Sequence, residues 1–167
     1  MRYLLFFVCV TFLLLIGCGK VPNPDGRLDV SGTITLNGGP FPGAEMCAIG
    51  LVPIDDKSLG SSSTTFDRNT GKFLFTRQDG LKPGKYKVVI TAQAVFDKTT
   101  KQPVTPETME GNDYKVNLVP PEFNKESKIE FEVVADQKNI FNYDVKTDYK
   151  PNTKPTERAI QQGKNSQ

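Results

Sequence analysis

Short segments with alternating apolar and polar residues recur between residues 28 and 148, and this pattern limits the fold more than any other feature of the chain. The clearest spans residues 85–92, where an apolar residue stands at every second position from Tyr86 to Ala92. A period of two predicts a strand with one buried face. Strands are predicted at 28–36, 44–52, 64–66, 73–75, 85–92, 129–133 and 141–145. Seven short strands separated by turns predict an all-β fold, an antiparallel seven-stranded sandwich that requires no helix.

Turn-forming residues separate the predicted strands. Asn37-Gly38-Gly39 tolerates positive φ angles and predicts a hairpin between the first two strands. The segment from Asp67 to Gly71 predicts a second turn, because Asp and Asn side chains bond to nearby backbone groups and Gly adopts the left-handed conformation. The acidic residues Glu130 and Glu132 alternate along a strand, so we expect them on its solvent face.

The first eighteen residues carry a different pattern. Arg2 precedes an almost uninterrupted apolar run from Tyr3 to Ile16, which is the layout of an export signal. The run leads into Leu15-Ile16-Gly17-Cys18, which resembles the lipobox of bacterial lipoproteins. That resemblance implies cleavage before Cys18 and acylation of Cys18 with chains such as palmitate. The expected product is a membrane-anchored lipoprotein of the cell envelope that faces the periplasm or the exterior.

The same reading divides the chain into four parts. Residues 1–17 are a lipoprotein signal peptide, 18–27 a Pro- and Gly-containing linker from the lipidated cysteine, 28–148 the β-sandwich domain and 149–167 a polar tail expected to be disordered. Two other interpretations of the start remain open. A membrane-spanning helix needs roughly 20 apolar residues, and this run is interrupted from Gly17 onwards. An ordinary secretory signal with an incidental cysteine is the stronger alternative, since the motif is short.

Several motifs in the predicted sandwich carry a family resemblance. The stretch from Val30 to Ala44, VSGTITLNGGPFPGA, looks like the opening of carboxypeptidase regulatory-like, prealbumin-type β-sandwich modules. The segment from Asp67 to Phe75 resembles that family's D-x-x-G-x-F turn and strand, and Pro83 to Val88 matches its P-G-x-Y-x-V strand. The resemblance covers roughly residues 28–146 and implies an immunoglobulin-like or prealbumin-like sandwich. The segment 44–53 is longer than the family's usual second strand, which suggests a bulge.

The combination of features is similar to a wider group of proteins. A lipobox, one such module and a later Pro-x-x-aromatic segment, here Pro120 to Asn124, resemble the small lipoproteins of planctomycete-type bacteria. Modules of this kind mostly stabilise, display or bind. The resemblance therefore implies a location and a fold, and it names no reaction.

The chain contains few of the residues from which catalytic or metal sites are built. The sequence contains no histidine, which excludes Ser-His-Asp and Cys-His machinery and removes the commonest zinc ligand. Asp55-Asp56 lacks the spaced acidic pattern of a calcium loop. Of the three cysteines, Cys9 lies in the signal and Cys18 would be acylated, so Cys47 is expected to be a free, buried thiol. We therefore predict a protein that is not an enzyme and has no metal or cofactor.

One long segment is the predicted partner-binding region. Residues 95–126 separate two predicted strands, whereas a usual connection has about 4–6 residues. Residues 113–119 alternate again and predict a minor edge strand. Such a segment is either a tolerated insertion or a binding loop, here for a protein or a polysaccharide. The net charge of +2 does not suggest nucleic acid as a partner.

Two functions agree with these features. The preferred hypothesis is a lipid-anchored, non-enzymatic cell-envelope module that binds or organises other surface components. The alternative is a carbohydrate-binding or accessory module that acts beside a separate hydrolase.

Overall fold

The computed structural model describes residues 25–108 and 111–152. The predicted signal peptide 1–17, Cys18, most of the linker and residues 153–167 of the tail lie outside these ranges. The expectations of cleavage, acylation and tail disorder therefore stay predictions.

The described chain folds into eight strands and three single-turn 3₁₀ helices. The strands are β1 Val30–Leu36, β2 Met46–Pro53, β3 Ser62–Thr65, β4 Lys72–Phe75, β5 Gly84–Asp97, β6 Asp113–Asn117, β7 Glu130–Val133 and β8 Asn139–Val145. The 3₁₀ helices are Lys57–Leu59, Pro106–Thr108 and Pro121–Phe123. The all-β class is confirmed. The count of seven was one too low, because the predicted minor edge strand is a regular member of a sheet.

The strands form two sheets. The smaller sheet has the order β4-β1-β8, and the larger has the order β3-β2-β5-β6 with β7 also paired to β5. All pairings but one are antiparallel, and the exception is β1 with β8, which run parallel from Val30↔Asn139 to Leu36↔Val145. The fully antiparallel prediction was therefore wrong at this pair. The two strands are far apart in sequence, so no turn fixes their relative direction.

The hairpin predicted at Asn37-Gly38-Gly39 is also corrected. The tight turn itself forms, since Asn37 and Gly38 have φ of 51° and 78° and Leu36 N–H donates to the Gly39 carbonyl at 3.0 Å. It does not pair β1 with β2, because β4 and β8 already occupy both edges of β1. The chain crosses to the larger sheet instead. The Asn37 side chain donates a hydrogen bond to the Thr147 carbonyl and accepts one from the Thr147 N–H.

No bulge interrupts β2. It pairs with β5 residue for residue from Met46↔Gln93 to Pro53↔Tyr86. The bulge prediction was wrong because β5 is itself 14 residues long and matches the extra length of β2.

Both sheets contribute to one apolar core. The alternation predicted for 85–92 is confirmed, since Tyr86, Val88, Ile90 and Ala92 are fully buried. The smaller sheet adds Val30, Ile34, Phe73, Phe75, Phe141 and Val145 to the same cluster. Within the smaller sheet, β1 and β8 approach closely at Gly32, where an added Cβ would lie 1.7 Å from the carbonyl oxygen of its partner Phe141. The Tyr86 hydroxyl donates to the Lys82 carbonyl at 2.9 Å, which satisfies its polar atom.

The two ends of the molecule are distinct. Leu28 exchanges backbone hydrogen bonds with Leu81, and β5 begins three residues later at Gly84. We call this the proximal end, because the chain from the N-terminus joins the sheets here. The 14 residues of β5, at about 3.3 Å each, place its other end at Asp97 roughly 40 Å away.

Candidate functional site

The far end of β5 forms a projection that we call the distal lobe. It consists of β5 beyond Gln93, β6 and the described part of residues 98–112 between them. The last pair between β2 and β5 is Met46↔Gln93, so β5 extends beyond the end of β2. The predicted loop 95–126 was therefore bounded incorrectly, since its first residues belong to a strand. The sequence hid this because Val95 and Phe96 break the alternation seen from Tyr86 onwards.

The lobe has a small apolar centre of its own. The rings of Phe96 and Tyr114 stack across the β5–β6 pair with centroids 5.6 Å apart. Lys101 Nζ lies 5.9 Å from the Tyr114 ring centroid, within the range of a cation–π contact. On the opposite face Val95 is 1 % exposed, and its carbonyl accepts a hydrogen bond from Val104 N–H at 3.0 Å. These contacts fix the lobe's shape against the sheet.

An aspartate organises the tip of the lobe. The Asp97 carboxylate accepts hydrogen bonds from the backbone N–H groups of Thr99 and Thr100, at 2.9 and 2.5 Å. The bond from Thr100, the largest influence, holds the pKa of Asp97 below its ordinary value. The Asn112 side chain donates to the Thr99 hydroxyl at 3.0 Å and joins the two arms of the lobe. The tip thus presents exposed polar side chains on an ordered backbone.

The remainder of the predicted loop is part of the sheet's support. Along β5, a gap separates the pairing with β7, which ends at Lys87, from that with β6, which starts at Gln93. The Asn124 side chain fills this gap by donating to the Ile90 carbonyl at 2.9 Å and to the Thr91 hydroxyl at 2.8 Å. Asn124 is therefore structural, and the part of the predicted loop that projects from the sheet is the lobe.

A second feature, the lateral groove, lies beside β8. It is an open cavity of about 590 Å³ lined by Glu122, Phe123, Glu126, Lys128, Ile129 and Tyr143. Phe123 and Tyr143 meet edge to face with centroids 6.2 Å apart, and Tyr143 stacks on Phe141 at 5.8 Å. Sequence reasoning missed the groove. The available signals were an aromatic in the Pro-x-x-aromatic segment and an aromatic on the last predicted strand.

The other predicted site residues take no part in either feature. Cys18 lies outside the described residues. Cys47 is a free, buried cysteine as predicted, and burial raises the pKa of its thiol to about 11. The side chain of Asp56 caps the 3₁₀ helix Lys57–Leu59 by accepting from Ser58 N–H. Within the described ranges, no three potential metal-ligating side chains come together, and no helix is long and apolar enough to cross a membrane.

Comparisons with known proteins give few matches. No family model and no curated protein matches the chain. Among solved structures, a candidate adhesin from Bacteroides ovatus has a TM-score of 0.39 and 13% identity over 79% of this chain and 49% of that one. A 9R-lipoxygenase from Cyanothece PCC8801 has a TM-score of 0.30 and 11% identity over 80% of this chain and 18% of that one. The chain spans about half of the adhesin and under a fifth of the lipoxygenase. Likenesses this distant carry no argument about function.

Proposed function

We propose that this protein is a lipid-anchored, non-enzymatic module of the cell envelope that binds or organises other surface components through its distal lobe. The observation that carries the proposal is the placement of the two ends of β5. The chain from Cys18 joins the sheets at the proximal end, and the lobe stands roughly 40 Å away at the other end of the same strand. In a domain tethered at the proximal end, the lobe is the part that can reach furthest from the bilayer.

The character of the lobe supports a binding role. Binding residues commonly occupy loops that a rigid scaffold holds in place. Here β5 is the scaffold, and the Asp97 hydrogen bonds order the backbone that carries Thr99, Thr100 and Lys101. The finer assignment of the fold as an immunoglobulin-like or prealbumin-like sandwich belongs to the same proposal. It rests on the motif resemblance and on two sheets that share one core.

Anchoring is tested by replacing the cysteine. Cys18→Ser removes the acylation site, and two or more acyl chains hold a protein stably to a membrane whereas one does so only marginally. We expect the variant to appear in the soluble fraction while the parent sediments with membranes. The buried Cys47→Ala is the matched control and should stay in the pellet. Equal retention of Cys18→Ser and parent would contradict a lipid anchor.

Partner binding is tested by photocrosslinking in intact cells. A photoreactive amino acid replaces Thr100, which is exposed at the tip of the lobe, and in a matched strain replaces Glu132, which is exposed on β7. We expect a discrete adduct from position 100 that is absent from position 132. The Asp97→Ala variant, which loses the acceptor that orders the tip, should weaken the adduct. An identical adduct pattern at both positions, or none at position 100, would contradict the assignment of the lobe.

The lateral groove favours a second candidate function, a carbohydrate-binding or accessory module beside a separate hydrolase. Its aromatic floor at Phe123 and Tyr143 and its carboxylates at Glu122 and Glu126 suit a sugar, which offers an apolar ring face and hydroxyl groups. Titration of the purified protein with cell-wall polysaccharide tests it. Tyr143→Ala should remove binding, and Tyr149→Ala, exposed outside the groove, should not. Saturable binding that both variants retain would place the sugar elsewhere.

A further inference from the structure

An apolar patch stands on the outer face of the smaller sheet. Leu74 on β4 and Ile140 on β8 both lie directly opposite Ser31 on β1, so they flank it on the face away from the core. They are 52% and 55% exposed, the highest values among the large apolar side chains of the described residues. Neighbouring strands are about 4.8 Å apart, so the two side chains stand roughly 10 Å from each other across a shallow depression. We call this the proximal patch.

Basic groups border the patch. Arg77 and Lys138 line the same depression as Leu74 and Ile140. Arg77 Nε lies 3.9 Å from Asp29 Oδ2, and both side chains are more than half exposed, so this ion pair leaves the guanidinium accessible. The patch therefore combines two apolar side chains with two cationic groups and one carboxylate.

The patch is restricted to the end of the sheet nearest the tether. One row further along the same face, Thr33 lies between Lys72 and Asn142, and beyond it Thr35 lies opposite Asp144. The face thus changes from apolar to polar with distance from Leu28. A uniform apolar face would suit a broad protein interface, whereas this gradient marks the proximal end alone.

The tether is short enough to bring the patch to the bilayer. Asp25, where the described chain begins, is seven positions after Cys18, and seven steps of about 3.5 Å span at most roughly 25 Å. Short flexible linkers give effective concentrations in the millimolar range, so a weak contact is enough to hold a tethered surface in place. Exposed Leu and Ile side chains bordered by Lys and Arg are the composition that binds at the interface of anionic membranes.

We propose that the proximal patch docks on the lipid surface, with Leu74 and Ile140 in the interface and Arg77 and Lys138 against anionic headgroups. The inference rests on the proposed lipid anchor and adds an orientation to it. Docking through the patch holds the proximal end of the smaller sheet against the bilayer and limits the tilt of β5, so that the distal lobe projects away from the lipid surface. A protein held by the tether alone would be free to change its tilt.

The experiment uses the full-length lipidated protein on vesicles of phosphatidylethanolamine and phosphatidylglycerol. An environment-sensitive dye is attached through Gln137→Cys, which borders the patch, or through Glu132→Cys on β7 as the matched control. Native Cys47 is buried, and its raised pKa of about 11 keeps it from competing for the dye. Quenching by lipids labelled in the acyl chain reports depth, and flotation with the vesicles reports anchoring.

We expect quenching at position 137 to exceed that at position 132 by about threefold or more, since only the first borders groups in the interface. The double variant Leu74→Ser/Ile140→Ser should lose this excess and still float with the vesicles. Flotation with equal quenching at both positions would overturn the docking and leave the anchor intact, as would a double variant that keeps the excess. A parent protein that does not float would overturn the anchor and the docking with it. Crosslinking of position 137 to a second copy, without quenching, would identify the patch as a dimer contact and overturn lipid docking.

Discussion

The proximal end and the distal lobe are two ends of one strand, and they are built differently. At the proximal end β5 lies between β2 and β7, and its side chains Tyr86, Val88 and Ile90 are fully buried in the shared core. At the distal end it extends beyond β2, and its half-buried Phe96 stacks on a single ring, Tyr114. Fold stability is therefore concentrated in the body formed by the two sheets. The part offered to partners is a local structure that depends on few contacts.

Because of that difference, the body maintains the fold and the lobe can vary independently of it. A lobe held by a small set of local contacts, which include the Asp97 hydrogen bonds and the Phe96–Tyr114 pair, can change its sequence or its opening equilibrium without unfolding the body. Proteins open locally with free energies that range from near zero to the global value, and poorly buried projections lie at the low end. The comparison predicts that equivalent truncations will have large effects in the body and small, local effects in the lobe.

The largest effect is expected in the body. Ile90→Ala removes a fully buried side chain from the centre of β5 and leaves a cavity. We expect the unfolding free energy to fall by about 2–5 kcal/mol. Urea denaturation followed by circular dichroism measures it. A loss below about 1 kcal/mol would mean that the shared core does not dominate stability.

A smaller effect is expected at the junction of the body and the lobe. Asn124→Ala removes the donor to the Ile90 carbonyl and the Thr91 hydroxyl and leaves the gap in the sheet unfilled. The expected loss of unfolding free energy is about 1–3 kcal/mol, the cost of a buried polar group without its partner. The exposed Asn142→Ala serves as control and should change stability by about 0.5 kcal/mol or less. Equal effects of the two variants would show that the Asn124 contacts are incidental.

Within the lobe the effect should be local. Phe96→Ala removes the stacking partner of Tyr114. Aromatic pairs contribute about 0.5–1.5 kcal/mol beyond the area they bury, so hydrogen-exchange protection near Thr99 and Asn112 should fall by about that amount. The amides of β2, and those of β5 before Gln93, should keep their hydrogen-exchange protection. Uniform loss of protection along the chain would show that lobe and body unfold as one unit.

The smallest effect is a pH dependence at the tip. The pKa of Asp97 is held below its ordinary value of 3.8 by hydrogen bonds from Thr100 and Thr99. Because the folded pKa is depressed, the carboxylate orders the tip above pH 3.8, and this contribution is lost as the pH falls through the lower folded value. The amide resonances of Thr99 and Thr100 should titrate with a midpoint below 3.8 and should not do so in Asp97→Asn. A midpoint at or above 3.8 would contradict the assigned hydrogen bonds.

The sequence predicted local structure better than pairing. Alternation from Tyr86 to Ala92 identified the buried face of β5, because side chains of a strand point to opposite faces whatever its neighbours are. The turn at Asp67 also formed, with its carboxylate accepting from the N–H groups of Asn69 and Thr70. Both features depend on residues that are close in sequence.

Features that depend on distant residues were missed. The parallel pairing of β1 with β8 joins residues more than a hundred positions apart, and no local signal specifies it. The lateral groove exists only because that pairing brings Tyr143 to Phe123. The proximal patch likewise needs the register that places Leu74 and Ile140 on either side of Ser31. In the sequence, Leu74, Ile140 and Tyr143 each look like an ordinary strand residue.

The central claim is that the lobe faces away from the membrane to which the proximal end is tethered. Energy transfer to acceptor-labelled lipids measures it directly, with the donor dye on Thr100→Cys in the lobe or on Gln137→Cys at the proximal end of the vesicle-bound, lipidated protein. The length of β5 predicts that position 100 lies up to roughly 40 Å further from the bilayer, so its transfer should be much weaker than that of position 137. Equal transfer from the two positions, or stronger transfer from position 100, would contradict the account.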